Sequence, residues 1–520
     1  MANTTSPSKI SDTLSGLDNY YAEDSYGIVA FSTTISPATA PWYTLSHTME
    51  YYSSATISVD NQLVSDSLQA AYNSGVNLHN YKYAIVVHSG RDEAMSHAST
   101  DIHSYTLPGY VFNPSPLNSF QISTSVVSES DPVGVYCHEA GHLLGLPDLY
   151  DLTQQIDPAN NFVGYWEIMA LGEWNPNNAN PAQPPAGTYP SQHSAWSKLN
   201  LGWITNSSIR WVYPGNSTTI TLQNLERPTS GIQAVKIPIS VNSDGSLSYY
   251  LVEMRAALGT YDQYLPFPSE YPGAALLVYR VNDSISTGRG NLRLVDAHPG
   301  GDLNDAGFGP CSSPCISNNT FSDPANFVKI IVTNTTSTAY TMVVDRTASP
   351  VLLLQVNTPG PGITVTVDGT NSFSDRSNQL RVPVHYGPHE IYVQSEVPVS
   401  LGPSAIQVGL TDSFASWNDG NTANPRWVSV TGDTVITATY RVIVQSSFAT
   451  AATAALILAV VLAGIVFNQR KEGHMAARAK QNLSTAQNQT GNNIGTLIPR
   501  DNSLGHEPVG RDKESNNSNA

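Results

Sequence analysis

The spacing of apolar side chains changes period several times along the chain, and each period predicts a different kind of element. Residues 28–60 alternate apolar and polar positions around Pro and Thr clusters, as strands joined by turns do. Residues 64–72 (VSDSLQAAY) place their apolar positions at helical spacing instead. The run 81–90 (YKYAIVVHSG) is short, apolar and closed by glycine, which predicts a buried strand; His88 at its end is read as structural rather than as lining a cleft. A polar loop carrying His97 and His103 follows, and then a short helical stretch that Gly145 and Pro147 stop. Glycine admits the left-handed backbone that ends a helix, and proline cannot resume it.

Beyond residue 205 the period shortens to two. The segments 218–225, 232–239, 248–255, 274–281 and 327–333 each read as strands, and over 206–346 they predict a β-sandwich. After the linker-like 347–350 (TASP), residues 347–442 read as a second, smaller all-β unit suited to spacing or adhesion. Residues 448–467 (FATAATAALILAVVLAGIVF) are 20 uncharged, largely apolar positions, enough at helical rise to span a bilayer. Arg470 and Lys471 follow directly, so the positive-inside rule expects this end in the cytoplasm and the rest of the chain outside the cell. The first 21 residues carry no apolar export segment, which conflicts with that topology unless the true start lies upstream; the alternative is a tail-anchored chain with its large domain in the cytosol. Residues 481–520, rich in Asn, Gln, Ser and Gly, read as a disordered tail.

Composition narrows the function classes. The chain has 520 residues, a net charge of −17 and 12% charged residues, so several domains are expected and a nucleic-acid footprint of clustered Lys and Arg is not. Cys311 and Cys315 lie close enough in a Gly/Pro/Ser-rich loop for a small local disulfide, while Cys137 reads as a small apolar residue. Glycosylation sequons at Asn206, Asn216, Asn282, Asn318 and Asn334 agree with an exported protein.

The candidate chemistry lies at 138–148, which reads H-E-x-x-H-x-x-G-x-x-D. Two histidines four apart on a helix present their rings to one ion, and the intervening Glu139 can reach a water there without being a ligand. Gly145 turns the chain back so that Asp148 can supply a third donor. Three donors with one open position describe a catalytic rather than a structural zinc site. The plain alternative is an amphipathic helix with two ordinary histidines. Glu167 and Glu173 are rival third donors, and Asp148 makes them unnecessary.

At these residues the chain resembles the M6, or immune inhibitor A-like, metalloendopeptidases. HEAGHLLGLPDLYD is close to that family's signature, and the resemblance continues through 164–172 (GYWEIMALG), 194–203 (SAWSKLNLGW) and, upstream, 20–27 (YYAEDSYG). It implies zinc on His138, His142 and Asp148, Glu139 as general base, and Met169 as a methionine turn flooring the metal. By analogy with zinc endopeptidases generally, peptide substrates are expected along an edge strand; His193, in a helical stretch leading away from the site (SQHSAWSKL), is a minor candidate for transition-state support. Calcium suits the oxygen-rich Asp296, Asp302, Asn304 and Asp305, and the family's calcium dependence favours it over simple solvated turns.

The expected architecture is therefore multidomain. It comprises an α/β, metzincin-like zincin domain (1–205), a β-sandwich (206–346), a small surface-type β-domain (347–442), one transmembrane helix (443–468) and a cytoplasmic tail (469–520). The expected function is a membrane-anchored extracellular zinc endopeptidase. A surface adhesin with a structural zincin domain is the alternative, and a zinc hydrolase of other amides shares every residue named.

Overall fold

The computed structural model describes residues 7–444, apart from 38–41, 55, 116–117, 154–161, 177–182, 268–272, 301, 311–318 and 402–405. The described part of the chain is mostly β-sheet, with a few helices gathered in its first half.

The first helix, α1 (Pro7–Asp24), buries a stripe of Ile10, Leu14, Leu17, Tyr20 and Tyr21 at helical spacing. Two further helices follow, α2 (Met49–Tyr52) and α3 (Ile57–Asn73), the latter containing the predicted 64–72 segment. The alternation over 28–60 does not form strands, contrary to expectation. Its described residues are irregular and then helical, because the segment is held by side chains rather than by a sheet partner. Phe31 N–H donates to Asp18 Oδ1 at 2.6 Å, and Val29, Phe31 and Ile35 pack on the core beneath α1.

The predicted strand is β1 (Tyr83–His88). After α4 (Glu93–Ser96) come β2 (Tyr105–Leu107), the hairpin β3 (Val111–Ser115) and β4 (Asn118–Gln121), and then β5 (Ser123–Ser128). β5 lies centrally, parallel to β1 and antiparallel to β2, which leaves β2 at an edge of this three-stranded sheet. α5 (Val133–Leu143) crosses behind it and is buried along almost its whole length. A short helix, α6 (Ala195–Asn200), closes the region.

The five strands read at 218–333 are all present as β7 to β10 and β13, within two sheets. One holds β6 (Ile209–Trp211), β8 (Ala234–Val241), β9 (Leu247–Ala256), β10 (Ala274–Asn282) and β11 (Leu292–Leu294). The other holds β7 (Ser217–Gln223), β12 (Thr320–Asp323), β13 (Val328–Thr335) and β14 (Ala339–Asp345). Along β9 the period of two serves two cores. Tyr250, Val252, Met254 and Ala256 face the opposite sheet, while Tyr249 and Leu251 join the core formed by α1, α5 and the segment around Met169. The sandwich and the helical region thus share apolar packing.

A third core lies between β15 (Val351–Asn357), β18 (Gln379–His385), β21 (Ile406–Trp417) and β23 (Thr434–Val444) on one side, and β16 (Thr364–Val367), β17 (Thr370–Phe373), β19 (Gly387–Val393) and β22 (Arg426–Val430) on the other. Pro398–Thr411 and Val442–Ala520 group as a separate unit, in which the described residues belong to β20 (Glu396–Leu401), the start of β21 and the end of β23.

The expected transmembrane helix, and the cell-membrane location that rested on it, are corrected. No helix among the described residues is long and apolar enough to cross a membrane. The longest, α1 and α3, carry polar residues on their outer faces and apolar residues only toward the core. Residues 448–467 and the expected tail lie outside the described residues.

Candidate active site

Four-residue spacing on α5 brings His138 and His142 together, with ring centroids 4.9 Å apart. Each ring is oriented by a backbone acceptor. His138 Nδ1–H donates to the Ile168 carbonyl at 2.9 Å, and His142 Nδ1–H donates to the Leu146 carbonyl at 2.8 Å. These bonds leave the lone pairs of the neutral rings on Nε2. Both Nε2 atoms lie 3.2 Å from Asp148 Oδ1. Donors at zinc-ligand distance on a tetrahedral ion are roughly 3.3 Å apart, so this spacing fits one ion between all three side chains. A carboxylate oxygen of Glu139 lies within 4.8 Å of both histidine nitrogens.

The chain reverses where glycine predicts. Gly145 adopts φ +101°, its N–H bonds the His142 carbonyl at 3.0 Å, and Leu146 N–H bonds the Gly141 carbonyl at 3.0 Å. The return leg is then tied to the floor by Leu149 N–H donating to the Met169 carbonyl at 2.7 Å. Met169 is fully buried under α5, and a Cβ at Gly141 would overlap its sulfur.

Electrostatics agree with a cationic centre. Burial alone would depress His138, yet Glu173, Asp148 and Glu139 outweigh it and raise its pKa to about 10. Burial would raise Asp148, but hydrogen bonds and charge from both histidines hold it far below the usual carboxylate range. Burial lifts Glu139 above its ordinary value, opposed by His142, His138 and the Thr106 hydroxyl. The two imidazoles and Asp148 form a donor set that fits a divalent ion, with Glu139 beside it and Glu173 behind the His138 ring.

Two neighbours, Thr106 and Tyr150, were not picked out from sequence. Thr106, on the edge strand β2, donates to Glu139 Oε2 at 2.6 Å. Tyr150 stacks 6.2 Å from the His138 ring. Glu173 Oε2 lies 3.7 Å from His138 Nδ1, on the side away from Asp148, and is therefore an outer neighbour rather than a rival to it. The signal for Thr106 was absent, because only pairing of β2 with β5 brings residue 106 to residue 139.

Other candidates lie elsewhere. Glu167 binds the Ser194 N–H at 2.6 Å, the Ser197 hydroxyl at 3.2 Å and the Met169 N–H at 3.3 Å, so it ties α6 to the floor. His193 is wholly buried against Asp24, Tyr20, Tyr21 and Trp203, outside the site. His88 is buried at the end of β1, with its Nδ1–H on the Ser89 carbonyl at 3.2 Å. Cys137 is buried and free. Cys311 and Cys315 lie outside the described residues. Of the expected oxygen cluster, Asp302 and Asn304 bond each other, whereas Asp296 and Asp305 converge with His298. Nothing here favours calcium.

The helix bearing HExxH, the turn returning an acid and the methionine floor define a metalloprotease-type site. Residues 89–204 match the family model described as the immune inhibitor A peptidase M6, catalytic domain. The same relationship appears in the pre-pro-metalloprotease PrtV of Vibrio cholerae serotype O1, in strains M66-2 and ATCC 39315 / El Tor Inaba N16961. Each is 38% identical over 95 residues, or 18% of this chain. That alignment spans 9% of the relatives' length. The 20–27 block precedes the matched segment but packs on it: Tyr21 OH donates to the Cys137 carbonyl and Tyr20 OH to the Ser191 carbonyl, both at 2.7 Å.

Proposed function

We propose that the chain is a zinc metalloendopeptidase, with His138, His142 and Asp148 holding the ion and Glu139 as general base. The observation that carries this reading is the convergence of both Nε2 atoms on Asp148 Oδ1, with each Nδ1 anchored to a carbonyl. When bound, zinc supplies Lewis acidity to a carbonyl and lowers the pKa of water toward neutrality. Glu139 takes the proton of the attacking water and returns it to the leaving amine, a role suited to a buried carboxylate whose pKa lies above its ordinary value. Thr106 fixes one Glu139 oxygen so that the other faces the reaction. An extended peptide adds beside β2, the edge strand next to Glu139, through main-chain hydrogen bonds. The β-units over 206–346 and 347–442 act as scaffold and spacer.

The test is cleavage of a denatured casein substrate by the purified chain. Activity should vanish with a zinc chelator and return on adding zinc. Activity indifferent to the chelator would overturn the reading.

A further inference from the structure

We propose a second metal site, outside the peptidase centre, formed by Asp296, His298 and Asp305 in the loop after β11, and taking a divalent transition ion of the zinc type rather than calcium. One ring nitrogen of His298 and one carboxylate oxygen from each aspartate lie within 4.8 Å of one another. The histidine is set up as a ligand: His298 Nδ1–H donates to the Asp305 carbonyl at 2.7 Å, which leaves Nε2 with the lone pair. Its backbone is pinned as well, because His298 N–H donates to Asp296 Oδ1 at 2.7 Å. Asp305 Oδ1 is buried and has no hydrogen-bond partner, an arrangement that costs free energy unless a cation satisfies it. An imidazole with two carboxylates favours zinc, manganese or cobalt, whereas calcium takes oxygen donors alone. Asp302 and Asn304, which would complete an oxygen shell, are instead bonded to each other at 2.8 Å.

The loop has structural work to do. Leu303, between the donors, accepts the Trp166 indole N–H at 2.7 Å, and Trp166 precedes the Ile168 carbonyl that orients His138. An ion here fastens the sandwich loop to the floor of the peptidase site.

Metal content of the stripped and zinc-reconstituted full chain decides the matter. Two zinc ions per chain are expected. One should remain in His298→Ala or Asp305→Asn, one in the His138→Ala/His142→Ala double variant, and none when His298→Ala is added to that double variant. Zinc should also raise the melting temperature of the double variant, and Asp305→Asn should abolish that rise. A single zinc in the unmutated chain that is lost in the His138→Ala/His142→Ala variant, content unaffected by His298→Ala, or uptake of calcium but not zinc at the second site would each overturn the proposal. Cobalt titration of the unmutated chain gives a second reading: two saturating steps support the site, and a single step that is absent from the His138→Ala/His142→Ala variant refutes it. Loss of the peptidase ion alone removes a different equivalent, so failure of the zinc-peptidase reading is distinguishable.

Discussion

Thr106 Oγ1 donates a 2.6 Å hydrogen bond to Glu139 Oε2, linking the edge strand where a peptide would lie to the residue that would move its protons. The hydroxyl also holds the Glu139 pKa down against the effect of burial. Thr106→Val should keep the shape and remove the donor. The expected result is a loss of about 10- to 100-fold in kcat/KM, as for a hydrogen bond to a charged group, with zinc content unchanged. Without the donor Glu139 holds its proton to higher pH, so the acid limb of the pH–rate profile should move upward. A profile that stays in place would mean Thr106 only packs.

Asp148 and Glu173 are both acidic neighbours of His138, but they face opposite ring nitrogens. Asp148→Ala should therefore weaken zinc at the peptidase centre by well over about 100-fold, beyond the loss typical of an outer partner, while Glu173→Gln should cost about 10- to 100-fold. Competition with a chromogenic chelator measures both. Glu139→Ala should retain zinc at that centre and lose turnover by at least about 100-fold. Equal zinc affinity in the Asp148 and Glu173 variants would contradict the assigned geometry.

Legibility in the sequence followed the range of the interactions. His138, Glu139, His142 and Gly145 lie within two turns of helix and one turn of loop, so spacing alone fixed their relation. The sandwich strands were legible because β7 and the first half of β13 alternate buried with more exposed positions, while β9 and β10 are short, almost wholly buried runs bounded by turns. Thr106 was illegible because residue 106 meets residue 139 only after β2 pairs with β5. The 28–60 segment misled for the opposite reason. Its alternation is real, but Asp18 and the face of α1 take up its hydrogen bond and apolar side chains, so no neighbouring strand is needed. Residues 232–239 and 248–255 read as strands of a separate domain, yet the second apolar face of β9 packs on the peptidase region, and a period-two pattern does not say which neighbour covers each face.

Gly141 and Met169 form a packing pair that explains why the helix between the two histidines carries glycine. A Cβ at 141 overlaps the Met169 sulfur and meets the Tyr21 hydroxyl. Gly141→Ala should destabilise the chain by about 1–3 kcal/mol despite alanine's better helix propensity. Shortening the opposing side chain with Met169→Ala should recover part of that loss in the double variant. A urea-denaturation cycle reads the coupling, which should be at least about 0.5 kcal/mol. Strictly additive effects would show that the two residues are not in contact.

Asp24 supplies the clearest pH dependence away from the metal ligands. It is fully buried at the end of α1, pairs with His193, and meets Lys198 Nζ at 2.9 Å. Burial would raise its pKa, but Lys198 and His193 prevail and lower it from 3.8 to about 2. A carboxyl depressed on folding stabilises the native state fully above its unfolded pKa and loses that contribution as pH falls through the folded one. Between about pH 4 and pH 2 the chain should therefore lose about 2 kcal/mol through this residue. Asp24→Asn should cost about 3–5 kcal/mol at pH 6, because it leaves the Lys198 ammonium buried without its counter-charge. Lys198 would keep only neutral acceptors, including the Asp24 carbonyl at 2.9 Å, the Gln192 side chain at 3.0 Å and the Leu225 carbonyl at 3.2 Å. Urea midpoints of both proteins from pH 6 to pH 2 check this, since other titrating groups contribute alike and cancel in the difference. The gap should narrow below pH 4, and a constant gap would show that the Asp24 charge adds nothing to stability.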